Sequence, residues 1–172
     1  MVEALILPAQ ASREELYLAI MPQIEAVISV TDDLVANLAN VAAILKQTFD
    51  FHWVGFYRTA SPDLLILGPF QGPLACVFIP FHKGVCGKAA TEQKTILVPD
   101  VENFPGHIAC SSLSKSEIVI PLVHDGKTRL VLDVDSSTIN GFDAIDQAYL
   151  EQIIELVRRQ NFNQANEVVH AS

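Results

Sequence analysis

The sequence is poor in cysteine, with three in 172 residues, and Cys76, Cys86 and Cys110 form no close pair. Structural zinc usually takes ligand pairs spaced as in C-x₂-C, so this spacing argues against such a site. Basic charge is also scarce. Eleven Lys and Arg face twenty Asp and Glu, a formal net charge of -9, which excludes a nucleic-acid partner because phosphates need a basic face. No apolar run approaches the roughly 20 residues that cross a bilayer. The first residues, Met1-Val2-Glu3-Ala4, carry an acid where a signal peptide needs a basic start, so the expected location is cytoplasmic. Permanent disulfides are rare there, and free, catalytic or metal-bound thiols are the alternatives. There is no G-x-G-x-x-G and no G-x-x-x-x-G-K-[ST], and no organic cofactor is expected. Repeats, low-complexity stretches and an interdomain linker are absent too. A chain of this length reads as one domain that buries roughly two thirds of its unfolded surface.

What is present alternates in a readable way. Ser12-Arg13-Glu14-Glu15 resembles a capping box before Leu16, Leu18, Ile20 and Met21. Thr31-Asp32-Asp33 opens a second helix with Leu34, Leu38, Val41, Leu45 and Phe49 on one stripe. Phe51 to Arg58 and Leu64 to Leu67 read as paired strands, and Ala75 to Pro80 as a further short one. Gly84 to Gln93 reads as helix and Thr95 to Val98 as strand. Residues 99 to 116, with Pro99, Pro105 and Gly106, form a long loop of the kind that carries function. Two strands follow, Glu117 to Val123 and Thr128 to Asp135, joined by a turn at His124-Asp125-Gly126-Lys127. A last helix covers about 143 to 159. The domain is expected over 12–162, with an extension at 1–11 and a frayed tail at 163–172.

The chemistry-bearing residues are thiols, acids and aromatics. Cys110 sits in the loop, where a thiol is exposed and mobile. Cys86 follows Gly84 at a helix start, where the dipole favours thiolate, and Cys76 lies in an apolar strand. Cys76 or Cys86 alone, in its apolar setting, reads more readily as a small buried hydrophobe, and Cys110, between Ser-rich and Gly-rich stretches, less so. His107, three residues before Cys110, could chelate, tune the thiol or be a plain loop histidine. Asp133 and Asp135 share one strand face about 7 Å apart, with Leu132 and Val134 on the other. Glu117 opens a neighbouring strand. A solvated face is the ordinary reading of such acids, but the apolar strand around them points to a pocket. Burial there would raise at least one pKa, giving a carboxyl that protonates an oxygen while another, ionised, holds an ammonium group. Trp53, Gly55 and Tyr57 alternate onto one face, with a gap at Gly55 between two aromatic walls. Core packing is the plainer account of the two aromatics.

This order of elements is similar to a GAF domain, an α+β fold with a central antiparallel sheet flanked by N- and C-terminal helices. The motifs resemble the free methionine-(R)-sulfoxide reductases. They are Trp53-Val54-Gly55-Phe56-Tyr57, Leu67-Gly68-Pro69-Phe70-Gln71-Gly72, Ala75-Cys76, Gly84-Val85-Cys86-Gly87, Gly106-His107-Ile108-Ala109-Cys110, Ser116-Glu117-Ile118-Val119 and Leu132-Asp133-Val134-Asp135-Ser136. Two departures are Arg129-Leu130, where the family usually has a glycine, and Ser111, where it often has an acid. The resemblance implies that Cys110 attacks the sulfoxide sulfur and Cys76 is the main resolving thiol, with Cys86 accessory. It implies proton delivery by Glu117, a pocket lined by Trp53, Tyr57, Asp133 and Asp135, recycling by thioredoxin, and a homodimer. The reading from another class is a GAF module that binds a small ligand or senses oxidants without turnover. The absence of an attached effector domain weighs against it.

Overall fold

The computed structural model describes residues 4–106 and 113–162. Its frame is a six-stranded antiparallel sheet in the order β3-β2-β1-β6-β5-β4. The strands are β1 (Trp53–Ser61), β2 (Leu64–Gln71), β3 (Phe78–Pro80), β4 (Ile96–Val98), β5 (Ser116–His124) and β6 (Lys127–Ser136). The helices are α1 (Arg13–Ile28), α2 (Leu34–Phe49), α3 (Gly84–Glu92) and α4 (Ala144–Phe162).

Alternation along the strands makes two cores. Val54 and Phe56 of β1, Ile118 and Ile120 of β5, and Leu132 and Val134 of β6 pack against α1, α2 and α4. Each such side chain contributes roughly 1.5–3 kcal/mol on leaving water. Trp53, Tyr57, Val119 and Val131 point to the opposite face, where α3 lies with Val85, Cys86, Ala89 and Ala90 against them. The candidate site is on this second face.

Helix starts follow their caps. Ser12 accepts from the Glu15 amide while Glu15 reaches back to the Ser12 amide, the reciprocal box expected for α1. The buried stripe of α1 is Tyr17, Ile20, Ile24 and Ile28, and Leu18 faces solvent. Asp33 caps α2, whose Leu38, Val41 and Leu45 are fully buried as the stripe anticipated. At α4, Asp146 accepts from Arg13 Nε at 2.5 Å and from the Tyr17 hydroxyl at 2.7 Å, which ties α1 to α4.

Several element boundaries differ from expectation, β1 running over Trp53–Ser61 rather than from Phe51 to Arg58. β2 runs on to Gln71, and residues 99–116 include a short 3₁₀ turn at Val101–Asn103. The strand expected over Ala75–Pro80 is only Phe78–Pro80. The carbonyls of Pro73 and Cys76 are taken by side chains from β1, so residues 73–76 follow the pocket wall rather than the sheet. Of the two departures from the family pattern, Leu130 is buried in the helix-side core and Arg129 approaches Asp125. Leu130 is therefore away from the acid pocket, and Arg129, on the second face, lines a separate cleft with Phe81 and Ala90. Ser111 is outside the described residues.

Candidate active site

Register brings the acids together. On β6, Asp133 is paired with Gly55 of β1 and Val119 of β5, and Asp135 with Trp53 and Glu117. Glu117, Asp133 and Asp135 therefore share one patch of the second face, roofed by the first turn of α3. Gly87 permits this seating, because a Cβ there would collide with the Pro80 carbonyl oxygen. Cys86 thereby comes down on the acids: its sulfur and one carboxylate oxygen each of Glu117 and Asp133 lie within 4.8 Å of one another. A cavity of about 40 Å³ is lined by these groups with Trp53, Tyr57, Asp135, Ser114 and Leu74, and by Lys83 at its rim.

The electrostatics follow from burial. Glu117 is 6% exposed and Asp133 7%. Desolvation raises the Glu117 pKa well above the usual carboxylate value, and the charges of Asp133 and Asp135 push it further. Burial also lifts Asp135, with Asp133 adding to the effect and the neighbouring Ser114 hydroxyl opposing it. Asp133 is raised by burial to about 6, held there by hydrogen bonds from Cys86 and Glu117 that favour its ionised form. Its Oδ1 is buried without a hydrogen-bond partner, an acceptor open to a donor from a ligand. Burial thus raises all three carboxyls within one pocket. Cys86, Glu117 and Asp133 are the one grouping among the described residues with a donor set suited to a divalent ion. Their mutual hydrogen bonds make them a proton-sharing cluster.

Cys86 is the buried small hydrophobe that its apolar setting suggested, and not the thiolate that a helix start favours. It lies in the first turn of α3, but it is 3% exposed, and burial next to Asp133 and Glu117 raises its pKa. The half-charge of a nine-residue helix does not offset desolvation beside two acids, so the thiol stays protonated. Cys86 is free, whereas Cys76, half-buried in the 73–76 segment, is disulfide-bonded. Cys110 and His107 lie outside the described residues.

The gap expected at Gly55 is filled. A Cβ at Gly55 would collide with Phe70 Cβ and lie 2.6 Å from the Trp53 ring. Trp53 stacks on Phe70 at 5.4 Å and on Tyr57 at 5.9 Å between ring centroids. Gly55 lets the aromatics close up rather than leaving space between them. Both aromatics also work through their polar tips: the Trp53 indole donates to the Pro73 carbonyl at 3.1 Å and the Tyr57 hydroxyl to the Cys76 carbonyl at 3.0 Å. Burial, then Asp133, raises the Tyr57 pKa, which keeps that hydroxyl a donor.

Sequence reasoning missed Lys83, Ser114 and Leu74 as lining residues. Only Lys83 left a signal, as a cation immediately before the glycine that opens α3.

A six-stranded antiparallel sheet with helices on both faces, and a buried acid cluster roofed by a thiol-bearing helix, is the build of a GAF domain, and the GAF domain family model matches residues 31–159. The chain is 54% identical to GAF domain-containing protein A of Dictyostelium discoideum, over 87% of this chain and 94% of that protein. It is 45% identical to the free methionine-R-sulfoxide reductase of Saccharomyces cerevisiae, over 73% of this chain and 74% of that one. The solved free methionine-R-sulfoxide reductase of Neisseria meningitidis, in complex with its substrate, superposes with a TM-score of 0.89 at 48% identity, over 92% and 95% of the two chains. The chain belongs to the GAF-type free methionine-R-sulfoxide reductase family, and it is an oxidoreductase.

Proposed function

We propose that this protein reduces free methionine-(R)-sulfoxide to methionine by thiol chemistry. The observation that carries the reading is Glu117, a carboxyl buried against two others at the wall of a cavity, where burial and repulsion raise its pKa and favour the protonated form. The Cys110 thiolate attacks the sulfoxide sulfur while Glu117 gives its proton to the sulfoxide oxygen. The hydroxyl passes from the substrate sulfur to Cys110 Sγ as the substrate S–O bond and the transient S–S bond break, so methionine leaves and Cys110 is left as a sulfenic acid. The Cys76 thiol attacks that sulfur, water departs, and a disulfide closes. A dithiol, thioredoxin in this reading, reduces it by exchange.

Specificity for the free amino acid follows from the remaining groups. Asp133, whose ionised form the hydrogen bonds from Cys86 and Glu117 favour, holds the substrate ammonium together with Asp135, and a peptide has no ammonium at that position. Lys83 is the cation available to the substrate carboxylate. Cys86 is accessory: its thiol donates to Asp133 and favours the ionised form there. That Cys76 is disulfide-bonded while Cys86 is free and buried favours Cys76 as the resolving residue. Trp53 and Tyr57 form the aromatic wall. A cytoplasmic homodimer spanning residues 12–162 completes the proposal; among the described residues no helix is long and apolar enough to cross a membrane.

The test is incubation of pure protein with dithiothreitol and the separated R and S isomers of free methionine sulfoxide. Turnover of the R isomer alone, lost in Cys110→Ser, is the expected result. No turnover of either isomer would leave a ligand-binding or redox-sensing GAF domain.

A further inference from the structure

The segment around Cys76 has a property that the chemistry of the pocket does not require. From Leu64 to Phe81 the chain has no Asp, Glu, Lys or Arg, although the whole sequence carries a net charge of -9. Within that stretch Leu74 is 90% exposed, Val77 54% and Phe78 56%. Two of these residues follow Cys76 directly and one precedes it by two. Phe78 belongs to β3, the edge strand of the sheet, so nothing in the sheet lies outside it among the described residues. The segment is also held in place. The Trp53 indole and the Tyr57 hydroxyl fix the carbonyls of Pro73 and Cys76, and the Leu67 amide donates to the Val77 carbonyl at 2.9 Å. Exposed apolar side chains thus flank the half-buried, disulfide-bonded Cys76 along a fixed, uncharged segment of an otherwise acidic protein.

We propose that this rim, Leu74, Val77 and Phe78 about Cys76, is the docking surface for a protein dithiol reductant, and that Cys76 Sγ is the sulfur it attacks. The proposal rests on the reductase reading and names the partner's surface for the same site. The occupant is a dithiol protein with an apolar, uncharged patch around its nucleophilic thiol, thioredoxin being the probe. Its thiolate attacks Cys76 Sγ, the internal disulfide breaks, and the released thiolate takes a proton. The second thiol of the reductant attacks the mixed disulfide, frees Cys76 and leaves the reductant oxidised, so two electrons pass in all. Desolvation of Phe and Val at the contact supplies the affinity.

The experiment follows reduction of the oxidised protein and needs no sulfoxide. The rate of disulfide reduction is measured with reduced thioredoxin and, separately, with dithiothreitol, for wild type and for Val77→Ser/Phe78→Ser. The expected result is a fall of about tenfold or more with thioredoxin and no change with dithiothreitol. An unchanged thioredoxin rate, or equal falls with both reductants, overturns the proposal. A thioredoxin variant keeping only its nucleophilic thiol should be trapped as a mixed disulfide on Cys76, identified by peptide mass; trapping on another cysteine overturns the assigned point of attack. Failure of the reductase reading has a separate signature, no methionine formed by fully reduced protein, which these rates do not depend on.

Discussion

The Tyr57 hydroxyl donates a hydrogen bond of 3.0 Å to the carbonyl oxygen of Cys76. A pocket-wall side chain therefore also holds the backbone of the proposed resolving cysteine. A net hydrogen bond is worth about 1 kcal/mol, or roughly fivefold in a rate that depends on it. Tyr57→Phe, which keeps the ring and removes the donor, should slow disulfide closure about fivefold while the first methionine still forms. Rapid quenching with mass analysis of the disulfide, set beside the single-turnover methionine yield, checks this.

Glu117→Gln keeps the shape of the side chain and removes its proton. Loss of a positioned general acid lowers turnover by about 10²–10⁴-fold. Thiol titration and the unfolding midpoint should stay near wild type. Unchanged turnover would remove Glu117 from the mechanism.

Asp133 makes stability depend on pH. Its pKa rises from 3.8 to about 6 on folding, with burial as the first cause. Between those values the folded protein keeps a proton that the unfolded chain has released. This contribution to stability is fully present at the acid end and is lost as pH rises from about 4 to 6. Above that window the ionised carboxylate costs on the order of 3 kcal/mol. Asp133→Asn should therefore stabilise the protein at pH 7 by about 1–3 kcal/mol, weaken substrate binding, and flatten the stability profile across the window. Urea unfolding at a series of pH values is the measurement.

The Cys86 thiol, buried and raised by desolvation next to Asp133 and Glu117, should resist alkylation. Iodoacetamide should label it slowly in the native protein and rapidly in denaturant. Fast native labelling would mean that the roof formed by α3 opens readily.

Asp146 is 1% exposed and accepts from Arg13, Tyr17 and the Asp143 amide. Asp146→Ala strands a buried tyrosine hydroxyl and a guanidinium, at about 3 kcal/mol. A lower unfolding midpoint with an intact pH–rate profile is the expected outcome.

The strands and their inward faces were legible because period-two alternation is local. Leu132 and Val134 against Asp133 and Asp135 can be assigned to opposite faces from four consecutive residues. The opposition of Glu117 to Asp135 was not, since it is set by pairing between β5 and β6 through a tight turn at Asp125 and Gly126, both with positive φ. Distance in sequence also hid the closing of Gly55, which depends on where β2 brings Phe70. The thiolate expected at Cys86 failed for a different reason. A helix start was visible, but the two acids beneath it were not, and they outweigh the dipole. The tethers from Trp53 and Tyr57 to residues 73–76 leave no trace in composition, because any backbone carbonyl can accept.

Alternation on β6 has a consequence for how such a protein can change over time. Its odd positions, Asp133 and Asp135, serve the pocket, while its even positions, Leu132 and Val134, serve the helix-side core. Point substitutions can retune one set and leave the other untouched, so ligand preference can drift without loss of the scaffold. A single inserted or deleted residue has no such freedom. It would carry both acids into the core and two aliphatic side chains into the pocket, ending activity and folding in one event.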